Sequence, residues 1–170
     1  MMKRKIRMLL AIVPALLLPF VLSAEQPKAG VLSTQQVKRF APSAFFFDGQ
    51  SAPVQLRNTC GFSTDEGKMV MAGFVDISGY STEVLAKYQG FFITEVKLNI
   101  EGSDLAPGEY GFGFSKEGKF VVMDVGANDV LSVDAHTDEK LAHPVPLKMT
   151  AEGGEYHLSA GRKWVAIKTE

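Results

Sequence analysis

Residues 104–125 read DLAPGEYGFGFSKEGKFVVMDV, two period-two runs around a turn signal. A two-residue turn at Glu117-Gly118 predicts that Phe114 faces Val121, Phe112 faces Met123 and Tyr110 faces Val125, with all three pairs apolar and on one face. A one-residue slip would set these aromatics against Phe120, Val122 and Asp124 and mix the surfaces. With the aromatics turned to the core, Gly111 and Gly113 leave the other side of the strand bare. Either a large residue such as Trp164 or Phe120, or a crossing loop, packs over that gap, or the strand bends sharply there. The functional alternative is a shallow groove floored by backbone and walled by aromatics. Gly111, Gly113 and Trp164 are then the candidate ligand-binding residues, for a flat apolar or sugar-like ligand or a partner's strand.

The same pattern extends outward. Gly153-Gly154 marks a second hairpin, in which a two-residue turn pairs Ala151 with Tyr156, Met149 with Leu158 and Leu147 with Ala160, while Lys148, Thr150, His157 and Ser159 share the polar face. Gly161 is expected to introduce a bulge before a last strand, Lys163 to Lys168. Val54 to Phe62, Lys68 to Ile77, Phe91 to Ile100 and Val130 to Val133 read as further strands, and Pro144 and Pro146 suggest an edge or a connection. Ser81 to Tyr88 is the strongest helix signal, and Ser33 could cap a short helical turn before Pro42. These readings predict an all-β protein of eight or nine strands, an antiparallel β-sandwich or a barrel, with one short helix at 81–88.

The N-terminus has the layout of a secretory signal: Lys3, Arg4, Lys5 and Arg7 precede an apolar run from Met8 to Leu22 that closes on Ser23 and Ala24. The run is short for a membrane span and is interrupted by Pro14 and Pro19. The expected organisation is a cleaved signal peptide over 1–24, a leader segment over 25–43 and a single antiparallel β domain over 44–170. The mature chain would be secreted or periplasmic, with no membrane span. The full chain carries a net charge of −1. Without residues 1–24 it has 14 basic against 19 acidic side chains, a mildly acidic balance with scattered cations that disfavours nucleic-acid binding. Cys60 is the only cysteine, so stability must come from apolar burial and not from an internal disulfide. Its strand parity with Val54, Leu56 and Phe62 predicts a buried, inert thiol.

The stretch Glu95-Val96, Glu101-Gly102 and Leu105-Ala106-Pro107-Gly108-Glu109-Tyr110, followed by the hairpin and Asp129-Val130-Leu131-Ser132-Val133, resembles a group of secreted bacterial β-sandwich proteins of unknown function, the DUF2911 type. The likeness covers residues 94–168. It implies a sandwich fold and an exported location, and it brings no activity with it.

Chemistry-bearing motifs are sparse. His157 is expected on a solvated polar face. His136, Asp138 and His143 could form a metal site only at a spacing that matches no established ligand pattern, so no metal and no cofactor are assigned. Residues 124–129 (DVGAND) read as a Gly-Asn turn and lack the ligand order of a calcium loop. Ser63 and Ser78 lie in no nucleophile elbow, and no catalytic residue is assigned. The reading is a non-catalytic binding or interaction module of the cell envelope or extracellular space, for an unknown protein or small ligand. The alternatives are a hydrolase acting on envelope or environmental polymers and a carrier of small lipophilic molecules.

Overall fold

The protein is represented by a computed structural model that describes residues 28–170, so the expected signal segment over 1–24 lies outside the described residues. Those residues form fourteen strands and two short helices: β1 (Gly30–Val31), α1 (Thr34–Phe40), β2 (Ala44–Phe47), β3 (Gln50–Ser63), β4 (Met69–Val75), α2 (Thr82–Leu85), β5 (Gly90–Thr94), β6 (Leu98–Ile100), β7 (Ser103–Leu105), β8 (Gly108–Phe114), β9 (Lys119–Met123), β10 (Asp129–Asp134), β11 (His136–Thr137), β12 (Val145–Glu152), β13 (Glu155–Gly161) and β14 (Lys163–Thr169). An eight-stranded sheet runs β1-β3-β4-β5-β8-β9-β10, with β2 also paired to β3. A six-stranded sheet runs β12-β13-β14-β6-β7, with β11 also paired to β14. The pairings are antiparallel and neither sheet closes on itself, so of the two architectures expected the sandwich holds and the barrel does not. No helix among the described residues is long and apolar enough to cross a membrane.

The β8–β9 hairpin corrects the expected register by one residue: Phe114 pairs with Phe120, Gly113 with Val121, Phe112 with Val122 and Gly111 with Met123. The cause is the turn. Ser115 N–H donates to the Lys119 carbonyl (2.8 Å) and Gly118 N–H to the Ser115 carbonyl (3.2 Å), with Gly118 at φ +81°, so the loop has three residues with a left-handed third. β9 ends at Met123, and Val125 is exposed instead of facing Tyr110.

The slip does not mix a wet face with a dry one, because both faces of this sheet are dry. Phe112, Phe114, Phe120 and Val122 point into the core between the sheets, with Phe62, Phe92, Leu158, Val165 and Ile167. Val121 and Met123 point the other way, into a second core with Phe47, Tyr88, Phe91 and Val37. That back face is roofed by β2, α1 and the segment around α2.

The glycine face is filled by this roof. A Cβ on Gly111 would stand 2.3 Å from the Phe47 ring, and one on Gly113 would stand 2.3 Å from the Lys87 carbonyl oxygen. The crossing-segment expectation is met by Phe47 and by Lys87–Gln89; Phe120 lies in the other core and Trp164 on the other sheet. Phe47 stacks on Tyr88 (ring centroids 3.9 Å apart, 9° between planes), and Tyr80 meets Tyr88 edge-on at 5.0 Å. The Tyr80 hydroxyl donates to the Phe47 carbonyl (3.3 Å), whereas the Tyr88 hydroxyl is buried without a hydrogen-bond partner among the described residues. Burial first, and then Tyr80, raises the Tyr88 pKa above the usual phenol range.

The described part of the expected leader is integral to the fold. Gly30 and Val31 pair with Ser63 and Phe62, Leu32 is buried, and α1 is fixed by a capping box between Ser33 and Gln36 that seats Val37 in the second core. Elsewhere the ladder of β3 with β4 shifts between Val54 and Thr59. Hence Val54 enters the second core, Leu56 is exposed, and Cys60 and Phe62 enter the core between the sheets, although all four share parity in sequence. Burial pushes the Cys60 thiol up to about 12, which makes it the inert group expected.

The second hairpin follows the sequence closely. Ala151 pairs with Tyr156 and Met149 with Leu158; only the third expected pair is lost, to an irregularity between Val145 and Lys148. Pro146 lies in β12, the edge strand of its sheet. Gly161 makes no bulge before the last strand: Ala160 pairs with Lys163, so Gly161 and Arg162 form a tight turn. The single helix expected over 81–88 is corrected: α2 is one turn, with Val84 N–H donating to Ser81 Oγ (3.3 Å) and turn bonds carrying the chain on to Tyr88, and the longer helix is α1. In the motif leading into β8, Tyr110 folds back so that its hydroxyl donates to the Ala106 carbonyl (3.0 Å), the arrangement of a tyrosine corner.

Candidate functional site

The three sequence-derived candidates separate. Gly111 and Gly113 lie in β8 under Phe47 and Lys87, while Trp164 lies in β14 of the six-stranded sheet. Val165 and Ile167 are fully buried toward the core, so Trp164, Ala166 and Lys168 project from the opposite, outer face of their strand.

Functional side chains converge around Trp164. Strand β11 flanks β14 on one side and places His136 opposite Trp164; β13 flanks it on the other and carries His157. Both imidazoles stack on the indole, with ring centroids 4.2 Å and 4.3 Å away and planes inclined by 23° and 24°. Each imidazole also meets a carboxylate: His136 Nε2 is 3.2 Å from Glu101 Oε2, and His157 Nε2 is 3.2 Å from Glu155 Oε1. Glu152 lies 3.6 Å from the other nitrogen of His157, and Lys168 lies 3.2 Å from Glu155. His157 is 14% exposed, so the solvated histidine expected from its polar face is instead held in a stack.

Glu101 is the most constrained member. It forms the β6–β7 turn at φ +48°, a backbone conformation unusual for a side chain larger than glycine. Its N–H donates to the Ala166 carbonyl (3.3 Å), and its Oε1 accepts from the Ala166 N–H at 2.5 Å. Ala166 lies between the β14 residues paired to β11 and those paired to β6, so the carboxylate supplies the ladder partner missing there. Glu155 is held below the usual carboxylate range, by its hydrogen bond with His157 first and by Lys168 next.

Asn99, Glu101, His136, Glu155, Trp164 and Lys168 surround a hollow of about 220 Å³ over Ala166. Among the described residues no group of three or more His, Cys, Asp or Glu is placed to hold a metal ion, and His136 is engaged by Glu101 and Trp164. The 124–129 loop is an Asp-anchored turn, with Asp124 Oδ1 accepting from the N–H groups of Gly126 (2.9 Å) and Asn128 (3.0 Å).

Part of this site was legible. Alternation in β14 around Val165 and Ile167 marks Trp164, Ala166 and Lys168 as outward, and the β12–β13 register marks His157. Glu101 and His136 depend on a turn and a two-residue strand contributed from far away in the chain. Comparison with protein-family models, with curated proteins and with solved structures gave no match.

Proposed function

We propose that this chain is an exported, non-catalytic binding module that takes a small polyhydroxylated, sugar-like ligand in the hollow beside Trp164. The observation that carries the reading is the backbone-anchored Glu101 carboxylate beside the stacked His136, Trp164 and His157 rings. A carboxylate tied to Ala166 and imidazoles held by stacking are ordered before a ligand arrives, which lowers the entropic cost of binding. Acceptors on Glu101 and Glu155, the Asn99 amide and the Lys168 ammonium offer the mixed donors and acceptors that vicinal hydroxyls require. The hollow is smaller than the roughly 300 Å³ at which drug-sized sites begin, which suits a single ring of a longer chain. Export rests on the N-terminal layout and on the resemblance of residues 94–168 to secreted sandwich proteins.

The test is a titration with a panel of mono- and oligosaccharides, read by fluorescence of the single tryptophan. A binding sugar should give a saturable change that Asn99→Ala and Lys168→Ala weaken. An unchanged Trp164 signal across the panel at millimolar concentration contradicts the reading.

A second reading, a hydrolase acting on envelope or environmental polymers, is favoured by the two imidazole–carboxylate pairs, since such pairs can move protons. Release of new reducing ends or amines from a bound polymer, abolished by His136→Ala, would select it over binding alone.

A further inference from the structure

We infer that the open end of the sandwich is a separate site, for a monomeric amphiphile with an apolar body and a single carboxylate head. Here the inter-sheet core reaches the surface: Phe74 and Phe114 from one sheet and Ala160 and Gly161 from the other line a cleft of about 490 Å³, together with Gln89, Thr137 and Pro144. That volume falls in the range of small-molecule sites, and its walls are mainly hydrocarbon. Phe74 and Ala160 pack against the buried cluster between the sheets, and the Gln89 amide at the cleft is taken up by the Phe114 backbone.

The rim carries the argument for charge. Arg162 and Lys163, at the turn between β13 and β14, both border the cleft. Lys163 donates to the Ser115 carbonyl, and Arg162 donates to the carbonyls of Leu141 and Ala142. Neither has a carboxylate at ion-pair distance among the described residues, and these two are the cations that border the cleft. Glu117 feels Lys163 through space without pairing with it. Two cations fixed by carbonyl groups keep donors to spare at the mouth of a greasy cleft, and Glu117 acts on Lys163 only from beyond ion-pair distance. An anionic head on an apolar tail complements both features: the tail displaces water from the Phe74–Phe114 wall while the head takes the free N–H groups. This site stands on residues outside the Trp164 hollow, so its failure would leave the sugar reading untouched.

The test compares decanoate, decanol and decyltrimethylammonium below their micellar concentrations against the purified protein, by calorimetry and by amide chemical shifts. Decanoate should bind one per chain, with shifts centred on Phe74, Phe114, Ala160 and Gly161, and roughly tenfold more tightly than decanol. The cationic amphiphile should bind most weakly, and Arg162→Gln with Lys163→Gln should erase the preference. Equal affinity for the three, decanoate shifts elsewhere, or binding to anionic vesicles without binding to monomeric decanoate would each overturn the proposal. The wild-type comparison alone decides the matter if the double variant folds poorly.

Discussion

The two glycine-marked hairpins of this protein obey the same period-two rule and yield to it differently. In β12–β13 the outer face is wet: Lys148, Thr150, His157 and Ser159 share one side and Met149 and Leu158 the other, so a slipped register would bury charge. In β8–β9 the side chains on both faces are dry, Phe112 and Phe114 entering one core and Val121 and Met123 another, so polarity cannot penalise a slip. There the turn and the roof decide. The three-residue Lys116-Glu117-Gly118 loop sets the pairing, which turns Val121 and Met123 to the same side as Gly111 and Gly113, under the roof of Phe47 and Lys87. Alternation therefore specifies a strand where water touches one face, and loses that power where a third layer covers it.

The largest effect that would break this comparison is truncation of the roof. Phe47→Ala removes the ring over Gly111 and its stack on Tyr88, and should cost about 4 kcal/mol in denaturant unfolding. A cost typical of a surface site would mean that the roof does not support the sheet. Next, Gly113→Val places side-chain atoms against the Lys87 backbone and should cost about 3 kcal/mol, whereas Thr150→Val, on the outer side of the other hairpin, should stay within about 0.5 kcal/mol. Equal costs at the two positions would erase the distinction between the hairpins. A smaller and opposite effect is expected at Tyr88→Phe, which deletes a buried hydroxyl without a hydrogen-bond partner among the described residues and should stabilise by about 1 kcal/mol.

The smallest effect concerns pH on the wet sheet. Glu155 ionises below its ordinary 4.5 because His157 and Lys168 favour the carboxylate, so between the native and unfolded pKa values the unfolded chain binds more protons. Its contribution is complete above about 4.5 and is lost as pH falls through the native value. Unfolding curves of the protein and of Glu155→Gln should accordingly converge on acidification. A gap between them that widens in acid would reverse the sign of the argument.

How much could be read in the chain follows from the same contrast. The β12–β13 register, the edge position of Pro146 and the capped turns at Ser33 and Ser81 depend on neighbours in sequence or on one water-facing side, and they were legible. The parity of β3 was not, because its shift between Val54 and Thr59 sends residues of one parity into two different cores. The role of residues 28–43 was hidden too, since Val37 and Leu32 acquire meaning only from a sheet face that needs a cover. The site divided in the same way: Trp164 and His157 lie on regular strands with one wet face, while Glu101 reaches them through a turn and a bond to Ala166 that no local pattern announces.

The central claim is that the bare glycine face of β8 is the floor of a second, filled core. The most direct measurement is the nuclear Overhauser contact between the Phe47 ring protons and the α-protons of Gly111, together with solvent exposure of that ring. The account predicts a strong contact and a ring shielded from a paramagnetic cosolute. A missing contact with a solvent-broadened Phe47 resonance would show an open groove over Gly111 and contradict it.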